Sequence, residues 1–267
     1  MSALGDQMKL ATWNVNSIKV RQPAVVAWLK EAVPEVVCLQ EIKCTDDSFP
    51  TGVFEELGYN CAVHGQKTYN GVAILSRRPI EDATPRLPGQ DGDEHARYLE
   101  AVIPARHGTV RVASIYAPNG NPVESDKFPY KLKFLDRLKA HAEHLLTFEE
   151  PTALLGDYNV IPDPDDVWDP KLWENDALYR PESRSAFRAI QYLGYTDAFR
   201  ACHAQTHQYT FWDYQGGSWQ KDHGIRIDHI LLSPQAADRL AASGIDKKVR
   251  AGEKPSDHVP VWCELNL

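Results

Sequence analysis

The chain has 267 residues, 43% of them hydrophobic and 25% charged, with a formal net charge of −8. Such a length and apolar content suit one large mixed domain and exclude a disordered chain, and the acidic balance argues against a protein that holds nucleic acid by bulk positive charge. It leaves room for a few placed cations, or a metal among carboxylates, to bind phosphates.

The five cysteines, Cys38, Cys44, Cys61, Cys202 and Cys263, are scattered without a Cys-x-x-Cys pair. They read as reduced, structural thiols. The first residues contain no basic segment followed by an apolar run, and no later stretch approaches the roughly 18 apolar residues of a membrane helix. A soluble cytoplasmic protein, with residues 1–8 as a flexible tail, is the expectation.

The first predicted strand is Lys9 to Val15, leading into Asn16-Ser17-Ile18. Pro23 is expected to open a helix carrying Val25, Trp28 and Leu29, which Pro34 closes. Val36 to Glu41 is a second apolar run, ending on a carboxylate, so the chain opens as a β-α-β unit. A loop and a short helix follow between Thr45 and Tyr59. Gly71–Ser76, Arg97–Ile103 and Thr109–Tyr116 read as further strands separated by turn-rich segments, the last entering Ala117-Pro118-Asn119-Gly120.

Tyr130 to Leu146 is the clearest predicted helix, with Leu132, Leu135, Leu138, Ala142, Leu145 and Leu146 on one stripe. It delivers the chain to Ala153-Leu154-Leu155-Gly156-Asp157-Tyr158-Asn159-Val160, a buried strand that presents a carboxylate and a carboxamide two residues apart. By itself Gly-Asp-x-Asn is an ordinary turn. A long Pro- and Asp-rich loop, 161–170, then carries Trp168 and precedes Trp173; its length points to function and its tryptophans to order. Ser185–Leu193 reads as helical, Tyr209–Tyr214 as an aromatic patch, Ile225–Leu232 as a strand, and Val259–Leu265 as the terminal strand after Ser256-Asp257-His258. No repeat, linker or composition break divides the chain, so a single domain over 1–267 is expected. Many strands and few helices favour a two-sheet α/β sandwich over a single doubly wound sheet.

Asn14, Glu41, Tyr116, Asp157, Asn159, Asp228, Asp257 and His258 all fall at or beside strand ends. Burying so many ionisable groups separately is costly unless they are paired or bind metal, so convergence on one site is the economical reading. The donors are oxygen-rich, which suits magnesium or manganese rather than zinc. Glu41 is the leading ligand, with Asn14 and Asp257 beside it. Neighbouring strand residues face opposite ways, so His258 is expected to pair with Asp228 rather than with Asp257.

Trp13-Asn14-Val15-Asn16, Leu39-Gln40-Glu41-Ile42-Lys43, Tyr116-Ala117-Pro118-Asn119-Gly120, Gly156-Asp157-Tyr158-Asn159, Arg226-Ile227-Asp228 and Ser256-Asp257-His258 together resemble the ordered motifs of the endonuclease/exonuclease/phosphatase superfamily. More narrowly the chain is similar to the exonuclease III branch of abasic-site nucleases, from Lys9 to Leu265. The resemblance implies a four-layered sandwich of two central mixed β-sheets flanked by helices, an α/β fold of the α+β type. It implies a magnesium-dependent phosphodiesterase (manganese as a substitute) that incises double-stranded DNA 5′ to abasic sites and trims 3′ ends, acting as a monomer and away from membranes.

By motif position, Glu41, Asn14 and Asp257 would bind the metal, and a second cation would draw on Asp157, Asn159 and His258. Asp157 would orient or deprotonate water with help from Asn159. His258, paired with Asp228, would hold a phosphate oxygen or share in water activation. Tyr116 would contact the phosphate or stabilise the leaving group, and Asn119 and Arg226 would contact phosphate or DNA. Phe211, Trp212, Ile225 and Ile227 lie where relatives carry an apolar pocket for a base-free deoxyribose. Lys67, Arg97, Lys127 and Arg226 are candidates for a basic groove. A phosphatase or phospholipase of the same superfamily, and an inactive nucleic-acid-binding regulator, are the rival readings. The first lacks a membrane-directed segment here, and the second predicts missing catalytic groups, of which none is missing.

Overall fold

The computed structural model describes residues 7–89 and 92–267. Their strands form two six-stranded mixed sheets. The first sheet is built from β1 (Gln7–Asn14), β2 (Val36–Gln40), β3 (Asn60–His64), β4 (Val72–Ser76), and, from the far end of the chain, Leu240–Ile245 and Val261–Asn266. The second contains β5 (Glu81–Pro85), β6 (Tyr98–Pro104), β7 (Thr109–Tyr116), β8 (Thr152–Asp157), β9 (Thr196–Asp197) and β10 (Asp228–Leu232). With the two terminal strands as β11 and β12, the spatial orders are β11-β12-β1-β2-β4-β3 and β5-β6-β7-β8-β10-β9.

Both faces of the central strands are apolar, and each face has its own partner. Leu10, Val36, Cys38 and Ile74 of the first sheet meet Ala101, Val112, Leu155 and Ile230 of the second in the core between the sheets. The opposite face of the first sheet, with Trp13, Val37, Leu39 and Leu75, packs on Val25, Trp28 and Leu29 of the helix Ile18–Ala32. The outer face of the second sheet, with Ala113, Ile115, Leu154 and Leu231, packs on Leu135, Leu138 and Ala142 of Lys127–Leu146 and on Phe187 and Ile190 of Pro181–Gln191. Helix, sheet, sheet and helix are therefore stacked in four layers, because strands buried on both sides need cover on both sides.

Several boundaries differ from the sequence reading. Gln7 and Met8, expected in a tail, belong to β1, where they pair with Asn266 and Leu265; residues 1–6 lie outside the described residues. The first helix begins at Ile18 rather than Pro23. Asn16 and Ser17 turn the chain with φ of 44° and 86°, and the Ser17 carbonyl accepts from Val20 and Arg21, so the proline falls inside the helix. The helix expected from Tyr130 starts at Lys127, and its buried face is Phe128, Lys131, Phe134, Leu135, Leu138, Ala142 and Leu145, with Leu132 and Leu146 only half-buried. Among the described residues no helix is long and apolar enough to cross a membrane.

Candidate active site

The register of the two sheets assembles the site. In the second sheet Asp157 ends β8 with Tyr116 beside it on parallel β7 and Asp228 beside it on antiparallel β10, so these residues form a row across adjacent strands. Close strand approach requires the glycine before Asp157: a Cβ at Gly156 would lie 1.9 Å from the Ile115 carbonyl oxygen. In the first sheet Asn14 closes β1 opposite Gln40, and Glu41 follows directly. Glu41 has φ of 51°, a left-handed conformation unusual for a side chain with a Cβ, and its carbonyl accepts from Ser17 N–H at 2.7 Å. Such backbone strain persists where surrounding contacts fix it and gathers at functional sites.

Asn14 joins the two sheets. Its Nδ2 donates to Glu41 Oε1 at 2.8 Å and to Asp157 Oδ2 at 2.9 Å. Two carboxylate acceptors fix the amide orientation, and Oδ1 turns to the Asn16 N–H at 3.0 Å. Asn14 is thus placed as a donor that braces two acids rather than as an oxygen ligand. Asp257 is half-buried and accepts from Asn16 Nδ2 at 3.1 Å. The tight group of metal-capable atoms is instead Glu41, Asp157 and His258, all within 4.8 Å of one another. The two carboxylates, half-buried Glu41 and buried Asp157, fit a hard divalent cation, and the set contains no thiolate to favour a softer one.

His258 Nδ1 lies 2.9 and 3.1 Å from the two oxygens of Asp228, the pairing expected from the strand argument, and Nε2 points toward Asp157 Oδ2 at 3.8 Å. Burial alone would depress the imidazole, but Asp228 and Asp157 override it and raise its pKa to about 10. Burial pushes the Asp157 carboxyl up to about 7, helped by Asp228 and Glu41 against the pull of His258 and Asn14. Glu41 is also pushed up by burial, yet Lys43, whose Nζ is 2.7 Å away, together with Asn14 leaves it below the usual carboxylate range. The Tyr116 hydroxyl is held well above its ordinary value by burial and then by Glu41, while the Arg97 guanidinium lies over its ring at 4.8 Å.

Asn159, with φ of 50°, donates to the Ala117 carbonyl at 2.9 Å, and its Oδ1 accepts from Asn119 Nδ2 at 3.3 Å. The Tyr116–Asn121 and Asp157–Ile161 turns are therefore cross-linked. Tyr158, between the two site residues, is buried and donates its hydroxyl to the Leu154 carbonyl.

Arg226 does not reach the site surface. It is 2% exposed, its Nε and Nη2 donate to Asp166 at 2.7 and 3.2 Å, and its Nη1 donates to Asp197 at 2.7 Å. With its guanidinium consumed by two buried acids, it ties the 161–170 loop to β9 and β10 and is unavailable to DNA. This also removes it from the expected basic groove.

Of the four residues expected to form an apolar pocket, two line a cavity and two do not. A cavity of about 490 Å³ is lined by Phe211 and Ile225 and by Trp168, Trp173, Leu172 and His223. Phe211 connects it to the acid cluster, its ring centroid 5.0 Å from that of His258. Trp212 is fully buried in a separate cluster with Tyr209 and Val259, its indole N–H bonded to Asp222, and Ile227 packs beneath the cavity with Ile161 and Val167. Trp168 and His223 stack at 3.7 Å, which makes one wall a flat aromatic surface.

Lys43, Asn16 and Lys131 escaped the sequence reading of the site. Lys43 and Asn16 flank the recognised Glu41 and Asn14, but nothing in their spacing says that they bond each other as well. Lys131 carried a readable signal, since it falls in phase with the apolar stripe of its helix.

The Endonuclease/Exonuclease/phosphatase family pattern matches residues 11–258. The chain is 32% identical to exodeoxyribonuclease III of Haemophilus influenzae over 97% of this chain and 100% of that protein. Among solved structures it is similar to an AP endonuclease from Archaeoglobus fulgidus, at 37% identity, a TM-score of 0.92 and coverage of 97% and 100%. It is equally similar to the 3′ phosphatase NExo from Neisseria bound to a product DNA hairpin, with the same identity, coverage and TM-score.

Proposed function

The chain belongs to the endonuclease/exonuclease/phosphatase family, and we propose that within it the protein is a magnesium-dependent DNA repair hydrolase, cleaving the backbone 5′ to abasic sites and trimming or unblocking 3′ ends. The observation that carries this reading is the convergence of Glu41, Asp157 and His258 within 4.8 Å at the ends of strands from both sheets. The relatives supply the substrate class, being nucleases and a 3′ phosphatase acting at DNA.

Glu41 would hold the cation, with Asp157 within reach. A bound divalent cation supplies charge neutralisation at the phosphoryl oxygens and polarises the group leaving from phosphorus. Asp157 accepts a proton from the attacking water. Its Oδ1 is held by the Asn159 N–H at 2.8 Å and its Oδ2 by Asn14, so the carboxylate is fixed in direction before substrate arrives. His258, held protonated by Asp228, presents Nε2–H and positive charge to a non-bridging oxygen. Tyr116, kept protonated by burial, supplies a hydroxyl proton toward the departing oxygen, and Asn119 donates to the phosphate.

The cavity beside Phe211 supports an abasic substrate, because a nucleotide without its base leaves the helix without losing a base pair and its sugar is small enough to enter beside Ile225. We read the protein as a cytoplasmic monomer. The test is a time course with magnesium on matched duplexes carrying either one abasic site, a 3′-phosphate or neither, with a chelator control. Metal-dependent incision at the abasic site and release of the 3′-phosphate are expected. An intact abasic duplex alongside hydrolysis of a phosphoinositide would move the protein to the phosphatase side of the family.

A further inference from the structure

Lys131 is among the largest fully buried side chains, at 0% exposure, and it occupies the stripe of its helix that otherwise carries Phe128, Phe134, Leu135 and Leu138. A leucine or methionine would continue that stripe without the cost of burying an ammonium, which is several kcal/mol (roughly) when uncompensated. The compensation comes from backbone. Nζ donates to the carbonyls of Pro118 at 3.2 Å, Asn119 at 3.1 Å and Asn159 at 2.5 Å. An ammonium has three hydrogens, and three carbonyls converge on it.

Those carbonyls belong to the two turns that carry the site. Pro118 and Asn119 follow Tyr116, and Asn159 follows Asp157. Asn159 is left-handed, so its carbonyl direction is set by a conformation that needs outside support. The turn also closes tightly over the lysine stem: a Cβ at Gly120, where φ is 93°, would lie 2.7 Å from Lys131 Cδ. The two turns are bonded to each other above the lysine by Asn119 to Asn159 and by Asn159 to Ala117.

We propose that Lys131 is a positioning residue, an internal clamp whose ammonium holds the Tyr116–Asn121 and Asp157–Ile161 turns at the separation that sets the Asn119, Asn159 and Asp157 side chains. The kinetic consequence rests on the phosphodiesterase reading, and the structural one on the geometry of the two turns alone. Lys131→Met keeps the apolar stem, removes three donors and leaves three inward carbonyls unpaired. The turns then relax, and misplacement of reacting groups by about 1 Å costs on the order of 100-fold. Substrate contacts distributed elsewhere are retained.

The test uses the whole chain with magnesium and an abasic duplex. Lys131→Met is expected to lower kcat by about 100-fold with KM within about threefold of wild type, and Lys131→Arg by about tenfold, since a planar guanidinium cannot aim three hydrogens from one nitrogen. Lys133→Met, exposed on the same helix, is expected to leave both constants unchanged. NMR of the side-chain amides gives a readout independent of turnover: the Asn119 and Asn159 resonances move in Lys131→Met, and that of Asn266 does not. A folded Lys131→Met with kcat within about twofold of wild type and unmoved resonances overturns the clamp. Should that variant fail to fold, Lys131→Arg decides, and wild-type kcat with wild-type Asn resonances in it overturns the proposal. A wild-type protein that cleaves no phosphodiester defeats the functional reading instead, and the amide shifts then judge the clamp by themselves.

Discussion

Replacing Arg226 by methionine separates two roles that one motif position could hold. The guanidinium makes a two-pronged contact with Asp166 and a single contact with Asp197, and all three side chains are buried. Removing it strands two carboxylates whose pKa values it helps hold below the usual range against the opposing effect of burial. Arg200, which also reaches Asp166, offsets part of that loss. Breaking a buried pair costs roughly 3–5 kcal/mol, a large share of the roughly 5–15 kcal/mol that keeps a domain folded. With a urea slope near 3 kcal/mol/M, about 4 kcal/mol moves the midpoint down by about 1.3 M. Urea unfolding followed by tryptophan fluorescence measures this, and the added substitutions Asp166→Asn and Asp197→Asn should recover much of the shift because no buried charge is then left alone. At a temperature where the single variant is folded, KM for DNA and the salt dependence of binding should match wild type. A midpoint shift below about 0.3 M, joined to a salt slope reduced by about one, would mean that Arg226 meets a phosphate and that the burial argument is wrong.

Asp157→Asn keeps the shape of the site and removes the proton acceptor; cleavage should fall by about 10³-fold or more with folding and DNA binding retained, and near-normal turnover would remove Asp157 from that role. Glu41→Gln should raise the magnesium concentration needed for half-maximal rate more than it lowers the rate at saturating metal, as a titration of activity against magnesium will register. Buried His229 accepts from Arg226 at Nδ1 and donates from Nε2 to the Val160 carbonyl, and burial with the Arg226 charge lowers its pKa to about 4. Its unfolded value is near 6.5, so between those limits the unfolded chain binds the proton that the folded chain refuses. The His229 contribution is therefore full above about pH 6.5 and falls away toward pH 4, by about 3 kcal/mol in all. Urea midpoints across that range should decline in wild type and flatten in His229→Gln, and equal slopes would contradict the assignment.

The strand ends were legible because buried strands are continuous apolar runs, and a polar group that interrupts such a run is conspicuous. Asn14, Glu41, Tyr116, Asp157, Asp228 and His258 announced themselves in that way, and the Asp228–His258 pairing followed from the alternation of side chains along a strand. A two-sheet sandwich was legible too, from many strands and few helices, whereas the order of its four layers came only with the resemblance. Edge strands such as β3 and β5, half-buried or exposed, lacked that signature and went unread. What the one-dimensional order could not decide was which polar groups spend their hydrogen bonds on each other. Arg226 lies beside a site motif yet is consumed by Asp166 and Asp197, distant in sequence, and Trp212 sits next to the pocket-lining Phe211 but faces the opposite way into a separate cluster. Asn14 serves as a donor bracing two acids only because the sheets bring Glu41 and Asp157 to either side of its amide. Residue type and periodicity determined that polar groups gather at the strand ends of a two-sheet core, and the ordered motifs made that set resemble a phosphodiesterase's, while the packing of the second sheet against the first decided how the charges are shared within it, because hydrogen bonds are settled by distances between segments that have no relation along the chain.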